Sequence, residues 1–493
     1  MARAVPAAIA RRGLFLPIRI YDERVEVFVT EETDRNMLDE YRMHAPLPLR
    51  PIKVERGALL ETLQQIHQES GFSMESLVIE KPLSTLANHL AEKIDLLDAA
   101  DDAPIVQLVN SLIVQALRDR ASDIHIEPFE NDIIVRFRVD GLLHVVLRPP
   151  KPVQAPLMSR IKVMAGLDIA EKRLPQDGAM RVQVGKKNVD VRVSVLPGHH
   201  GERLVLRLLN KDERIACFTE LGLTEEQMVW MNDRTKVSHG LLLVTGPTGS
   251  GKSTTLYAAL SNINTPEKNI LTIEDPIEYS LVGVGQIQVA PKIGLTFAKG
   301  LRSILRQDPD VIMVGEIRDL ETAEIVIQAS LTGHLIVSTL HTNDSVGAIT
   351  RLIDMGIEPF LVGSALDGVV AQRLVRRLCE QCKAPYSPPS HLLSMYRGNL
   401  PWTDMPDNYF RPVGCEICLG TGYRGRTALF ELLTITDALR EQLVARASDH
   451  YLRHLVRGEG MITLYEAGLR RAASGLTSLD EVFRVTRQTG ERT

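Results

Sequence analysis

Residues 246–253 read Gly-Pro-Thr-Gly-Ser-Gly-Lys-Ser, a complete GxxxxGK[ST] pattern. The apolar run Leu241 to Thr245 precedes it, and a helical run from Ser253 to Leu260 follows. Strand, glycine-rich loop and helix in that order belong to a layered α/β domain, with the loop at the carboxyl edge of a parallel sheet. The surrounding sequence agrees: Leu241–Thr245, Ile270–Ile273, Val311–Val314 and Leu335–Leu340 are short, continuously apolar runs separated by helical stretches. Strands of that kind are covered on both faces.

The loop predicts a nucleoside triphosphate ligand. Its glycines let the backbone curl so that N–H groups point at phosphate oxygens. Lys252 supplies a point charge for the outer phosphates, and the Ser253 hydroxyl is a ligand for Mg²⁺. The expected binding residues are Gly246, Pro247, Thr248, Gly249, Ser250, Gly251, Lys252, Ser253 and Thr254. No Asn-Lys-x-Asp follows the loop, so adenine is favoured over guanine and the nucleotide is read as ATP.

Hydrolysis needs one acid to hold Mg²⁺ through water and one to orient the attacking water. Two strands end in carboxylates, the first at Glu274 and the second just before Glu316, and these are the candidates for the two roles. His334 and His341 frame a further strand, Leu335–Leu340, and read as sensors of the terminal phosphate.

Four of the five cysteines form two CxxC pairs, Cys379/Cys382 and Cys415/Cys418, with residues 383–414 between them. Two such turns present the thiolates that close a tetrahedral Zn²⁺ site of structural type. Redox CxxC chemistry and a DNA-reading finger are the rivals, but Lys383, Arg397 and Arg411 make a poor phosphate footprint. The fifth cysteine, Cys217, is expected in the core.

With 493 residues the chain has room for about three domains at ~150 residues each. Residues 1–96 show weak patterning, with Val25, Val27 and Val29 alternating as a strand and Leu59–His67 reading as a helix, and are expected to form a docking domain. Residues 97–232 open with an acidic hinge at 98–104 and a helix. Paired period-two strands then carry Arg136, Arg138, Arg192, Arg203 and Arg207, so this is an α+β domain with a polar sheet face. Residues 233–493 hold the phosphate loop, with a zinc module at 375–424 and a helical C-terminal region. No run reaches the ~18 apolar residues of a spanning helix, and the net charge of −5 argues against a protein that coats nucleic acid. The chain is therefore expected to be soluble and intracellular. The basic run Arg373, Arg376, Arg377 is expected to face the zinc module or a neighbouring subunit rather than DNA.

Four stretches occur in a diagnostic order: the phosphate loop, the acidic segment 270–278, LRQDPDVIMVGEIRD at 305–319, and LTGHLIVSTLHT at 331–342. They resemble the Walker A, Asp box, Walker B and His box of the secretion ATPase superfamily. Similarity runs from DIHIE at 123–127 through QRLVRRLC at 372–379 to GLTSLDEV at 475–482. The chain most resembles the type II secretion ATPases (general secretory pathway protein E family), with type IV pilus assembly ATPases as the alternative and a RecA-like nucleic-acid translocase further off. The resemblance implies a RecA-like ATPase domain behind a PAS-like α+β domain, in a homohexamer on the cytoplasmic face of the bacterial inner membrane. It implies that ATP hydrolysis drives pseudopilus assembly through the L-type and F-type platform proteins, the L-type cytoplasmic domain docking on the N-terminal domain. Acidic phospholipid is a possible further ligand in that setting, and nucleic acid is not a partner. Carried onto matching positions, Glu274 positions water and Glu316 acts at Mg²⁺. Arg192 and Arg207 are the candidate arginine fingers, with Arg203 as a substitute.

Overall fold

Among the described residues of the computed structural model, four sheets organise the chain. Those residues are 14–21, 24–34, 47–57, 103–184, 187–209, 215–391 and 408–486, with isolated positions 38, 41, 42, 59, 83 and 393. The expected helix beyond Leu59, the acidic hinge before residue 103, the turn at 185–186 and the middle of the cysteine loop (392 and 394–407) lie outside them. The chain divides into two compact units, one ending at residue 212 and the other beginning at 213.

In the first unit, β1 (Phe15–Tyr21), β2 (Arg24–Val29) and β3 (Leu49–Lys53) form a small sheet over Phe15, Leu16, Val25, Val27 and Leu59. The larger sheet contains β4 (Ala121–Pro128), β5 (Ile133–Val139), β6 (Leu142–Leu147), β7 (Gln176–Val184), β8 (Lys187–Leu196) and β9 (Arg203–Leu209). Its order is β6-β5-β4-β9-β8-β7, antiparallel throughout. Period-two patterning decides its faces: Val189, Val191, Val193 and Val195 are buried in one core with the helices Ala103–Arg118 and Gln154–Met164. The β5–β6 turn has Asp140 and Gly141 both at positive φ (48° and 88°), as a tight two-residue hairpin requires.

The opposite face is charged, and it is not a row of free arginines. Asp123 sits opposite Arg138 on β5 and Arg207 on β9, and Arg207 in turn sits opposite Arg192 on β8. Arg207 Nε donates to Asp123 Oδ1 at 3.0 Å. Glu127 is paired with both Arg136 and Arg203. Two buried carboxylates on the central strand thus anchor most of the exposed cations around them.

The second unit is built on β10 (Gly240–Thr245), β11 (Ile270–Glu274), β12 (Gly285–Gln288), β13 (Val311–Val314), β14 (Leu335–Leu340), β15 (Leu366–Leu378) and β18 (Tyr423–Thr434), with β16 (Ala384–Tyr386) and β17 (Tyr409–Arg411) as a separate hairpin. The order is β12-β11-β13-β14-β10-β15-β18, parallel except for the last pair. Every residue of β10, β13 and β14 is buried, as continuous apolar strands between two helical layers must be. Leu241 and Leu243 face one core with the helix Leu320–Leu331, whereas Leu242 and Val244 face the other with the helix Lys252–Ile263. Each such side chain contributes about 1.5–3 kcal/mol on burial. The helix Glu225–Thr235, which straddles the expected boundary at 232, packs in this unit through Met231.

Cys217 corrects an expectation: it is exposed, not in the core. It occupies the N-cap position of the helical turn Phe218–Leu221, where Glu220 accepts from its backbone N–H at 2.9 Å. Among the described residues, no helix is long and apolar enough to cross a membrane.

Candidate functional site

The buried strand β10 delivers the chain into the phosphate loop at its carboxyl end. Gly246 adopts φ 149°, and a Cβ there would lie 2.5 Å from the Gln372 carbonyl and 2.6 Å from Ser250 Oγ. Only glycine fits. Gly251, at φ 88°, is the N-cap of the helix Lys252–Ile263 and offers no side chain to its first N–H groups. Those donors, with the positive end of the helix dipole, face the loop and make it an anion cradle. Ser250 Oγ is buried and has no hydrogen-bond partner, while Ser253 is exposed on the first turn.

Lys252 is folded back into this cradle. Its Nζ donates to the Gly246 carbonyl at 2.8 Å and the Pro247 carbonyl at 3.2 Å. Burial pushes its pKa down to about 8; Glu316 opposes that shift and Arg373 adds to it. Nζ also lies 3.4 Å from His341 Nδ1. With Nδ1 accepting from the ammonium, Nε2 is the protonated ring nitrogen, and it donates to Glu316 Oε2 at 3.1 Å. Glu316 is further paired with Arg318, whose other end lies 3.8 Å from Asp275. Burial acts to raise the Glu316 pKa, but Arg318 and His341 outweigh it and hold the carboxyl below its usual range. A continuous line Lys252–His341–Glu316–Arg318–Asp275 therefore runs across the carboxyl edge of the sheet.

Glu274 ends β11 in a tighter setting. Its carboxylate accepts from the Tyr257 hydroxyl, from Thr272 Oγ1 at 2.6 Å and from Gln286 Nε2 at 3.0 Å. Tyr257 is driven up in pKa by burial and by this neighbour, so it stays a donor. The strand order also refines the expected layout. β13, which precedes Glu316, is not next to β10, because β14 lies between them and brings His341 into the line.

Of the predicted residues, Lys252, Glu316 and His341 converge. His334 does not join them: it precedes β14, at the edge where its ring Nδ1 meets the Ala329 carbonyl at 3.1 Å. The strand separates the two histidines by about 23 Å at ~3.3 Å per residue. Arg192, Arg203 and Arg207 lie in the first unit, as described above. Arg318, Tyr257, Gln286 and Arg373 were not singled out as site residues from sequence. Only Arg318 carried a signal, its place two residues after Glu316. Arg373 departs from its expected direction: Nη2 donates to the Asn343 carbonyl and side chain at 3.0 and 3.1 Å, beside the site. Arg376 lies over the Tyr423 ring at 3.9 Å and pairs with the fully buried carboxylate of Glu481.

The four paired cysteines gather at the ends of β15 and β18. Sγ separations are 3.8 Å for Cys379–Cys415, 3.8 Å for Cys382–Cys418 and 3.6 Å for Cys415–Cys418, and all four lie within 4.8 Å of one another. Four thiolates at ~2.3 Å from one Zn²⁺ stand ~3.8 Å apart, so the residues fit this metal. Backbone N–H groups of Gly414 and Gly422 donate to Cys382 Sγ and Cys418 Sγ at 3.3 and 3.2 Å, as the second layer of a thiolate site does.

Residues 98–484 match the family described as Type II/IV secretion system protein. The chain belongs to that family. Among curated relatives, the type II secretion system protein E of Aeromonas hydrophila is 52% identical over 431 residues, covering 87% of this chain and 85% of the relative. The type II secretion system ATPase E of Vibrio cholerae is 48% identical over 442 residues, 89% and 87% of the two chains. In solved structures, the pilus retraction motor PilT with bound ADP is similar at TM-score 0.52 and 27% identity, over 78% of this chain and 98% of that one. The Legionella pneumophila ATPase DotB, at TM-score 0.55 and 21% identity over 76% and 94%, shares the fold. This type II/IV secretion system protein is thus an ATP-hydrolysing enzyme with a RecA-like domain.

Proposed function

We propose that this chain is the ATP-hydrolysing motor of a type II secretion system, working as a homohexamer at the cytoplasmic face of the inner membrane to drive pseudopilus assembly. The observation that carries the reading is the line Lys252–His341–Glu316 laid against an uncapped helix N-terminus. It occurs in a chain about half identical to type II secretion proteins E over most of its length.

ATP enters the cradle of residues 246–254, where the free N–H groups of the helix Lys252–Ile263 receive its phosphates. Lys252 leaves the Gly246 and Pro247 carbonyls for the outer phosphates, a short swing from its present position. Ser253 and Glu316 are the residues that would hold Mg²⁺, which would supply charge neutralisation at the transferred phosphoryl group. Glu274, fixed by Tyr257, Thr272 and Gln286, orients the attacking water. His341 stands between Lys252 and Glu316 and registers whether the terminal phosphate is present. The arginine fingers come from the α+β domain of a neighbouring subunit. Arg207 and Arg192 are the candidates because their strand pairing puts them side by side, with Asp123 fixing Arg207.

The domains divide the labour accordingly: residues 1–96 dock on the membrane platform, 97–232 supply arginines, and 233–493 hydrolyse ATP. The cysteines at 379, 382, 415 and 418 bind one structural Zn²⁺ that ties the ends of β15 and β18. The L-type and F-type platform proteins, and acidic phospholipid, are the surfaces on which the motor acts.

Phosphate release by the full-length protein tests the reading. Turnover should rise on adding the platform's cytoplasmic domain with acidic vesicles, stay unchanged with DNA, and vanish in Lys252→Ala. DNA stimulation without a platform response would replace this reading with a nucleic-acid motor.

A further inference from the structure

Five consecutive residues, His341 to Ser345, lead from β14 into the first position of the helix Ser345–Asp354, and each is gripped by a side chain. His341 lies between Lys252 and Glu316. The Thr342 N–H donates to Thr245 Oγ1 at 3.0 Å, at the end of the strand that carries the phosphate loop. Asn343 accepts twice from Arg373. Asp344 is paired with Arg453 at 2.8 Å. Ser345 donates its N–H and its hydroxyl to Glu431 Oε1 at 2.8 and 2.5 Å.

Glu431 does more than cap one helix. Its other oxygen accepts from the N–H of Leu464 at 3.1 Å, the first residue of the helix Leu464–Ala473. One buried carboxylate therefore caps two helices, one leaving the phosphate site and one in the C-terminal region. Glu431 and Arg373 stand on the antiparallel pair β15/β18, where Ala371 faces Glu431 and Arg373 faces Leu429. Both side chains come from the most extensively paired strands of the sheet, and their Cα positions are set by a ladder rather than a loop. Arg373 Nη1 is buried without a hydrogen-bond partner, and Arg373 is held at the loop by its Nη2 contacts with Asn343 and by the negative charges of Asp344 and Glu431. A loop with five anchors adopts one geometry, and His341 is its first residue.

We propose that Glu431 and Arg373 are positioning residues for ATP hydrolysis: by fixing residues 343–345 they place the His341 ring between Lys252 and Glu316, and Glu431 ties that geometry to the helix Leu464–Ala473. The proposal rests on the reading of Lys252, Glu316 and His341 as the hydrolytic site. Neither side chain hydrogen-bonds to the nucleotide cradle; Glu431 acts through the loop that begins at His341, and Arg373 acts through that loop and also bears on Lys252 by its charge.

A double-mutant cycle in the full-length protein separates positioning from packing. Glu431→Gln and Arg373→Gln each are expected to lower kcat about ten- to a hundredfold while KM for ATP moves less than about threefold. In a His341→Ala background the same substitutions should cost less than about threefold more, because the ring they place is gone. If the losses multiply instead, the two residues serve packing alone and the proposal is overturned. Should Glu431→Gln fail to fold, an Arg373→Lys cycle, which keeps the charge that acts on Lys252 but gives up the guanidinium's hold on Asn343, decides by the same criterion. Lys252→Ala is the control. Turnover in that variant overturns the hydrolytic reading itself, whereas a dead Lys252→Ala with multiplying losses overturns only the positioning.

Discussion

Lys252 carries its charge where burial disfavours it, and that leaves a measurable trace. The free protein's Lys252 titrates at about 8 because burial outweighs the attraction of Glu316. Phosphate binding favours the ammonium, so the bound pKa is higher than the free one. Below pH 8 the cation is already present and ATP affinity should be flat. Above it, binding must take up a proton, and Kd should rise about tenfold per pH unit until the bound pKa is passed. Calorimetry in buffers of different ionisation enthalpy, from pH 7 to 9.5, reads both the slope and the proton uptake; a flat Kd across that range would show that Lys252 takes no part. Glu316 offers a second test at this scale. Glu316→Gln keeps the shape but removes the negative charge and one of the two acceptor oxygens that Arg318 and His341 use, and kcat is expected to fall at least about a hundredfold with ATP still bound. Lys252 and Glu316 were legible because a spaced motif and a strand-end carboxylate mark them in the sequence. Tyr257 and Gln286 were not. A tyrosine in a helix and a glutamine on an edge strand look like packing until the fold brings both onto Glu274.

At the scale of elements, the antiparallel pair β15/β18 is the backbone of the site's rear wall and of the cysteine module. One Zn²⁺ per chain is expected in purified protein, and its removal with a chelator should lower the thermal midpoint by several degrees, since folding and metal binding are linked. Cys382→Ser should do the same without a chelator. Stoichiometric disulfide formation with no metal would instead assign the cysteines to redox chemistry. Arg376 on β15 and Arg484 on the helix Leu479–Thr486 share the buried Glu481 of that helix. Glu481→Ala strands Arg376 against Tyr423 and should cost about 3 kcal/mol of stability, read by denaturant unfolding, while Arg376→Ala/Glu481→Ala recovers part of it. The apolar strands themselves were evident from their unbroken runs. Their order was not. That β14 lies between β10 and β13 is decided by side-chain packing across the sheet, which no single run encodes, and it puts β14 beside the phosphate loop; the parallel direction of β14 then leaves His341 next to Lys252 and His334 at the opposite edge.

For the whole molecule, the proposed arginine fingers make a prediction about mixed assemblies. If Arg207 and Arg192 act on a neighbour's nucleotide, Lys252→Ala chains and Arg192→Ala/Arg207→Ala chains are each inactive alone. Mixed, they should recover a fraction of wild-type turnover, because some interfaces then pair an intact cradle with intact arginines. Survival of activity in the double arginine variant alone would remove those residues from the mechanism. What the sequence determined by itself was local: the phosphate loop, the strand-end acids, the paired cysteines and the apolar runs, each set by a short-range rule of backbone conformation, coordination or burial. What only the tertiary structure decided was which separated residues meet. The His341–Ser345 loop is held by residues from Thr245 to Arg453, and Glu274 by a helix and an edge strand. Such contacts depend on strand order and register, which are properties of the packed sheet as a whole.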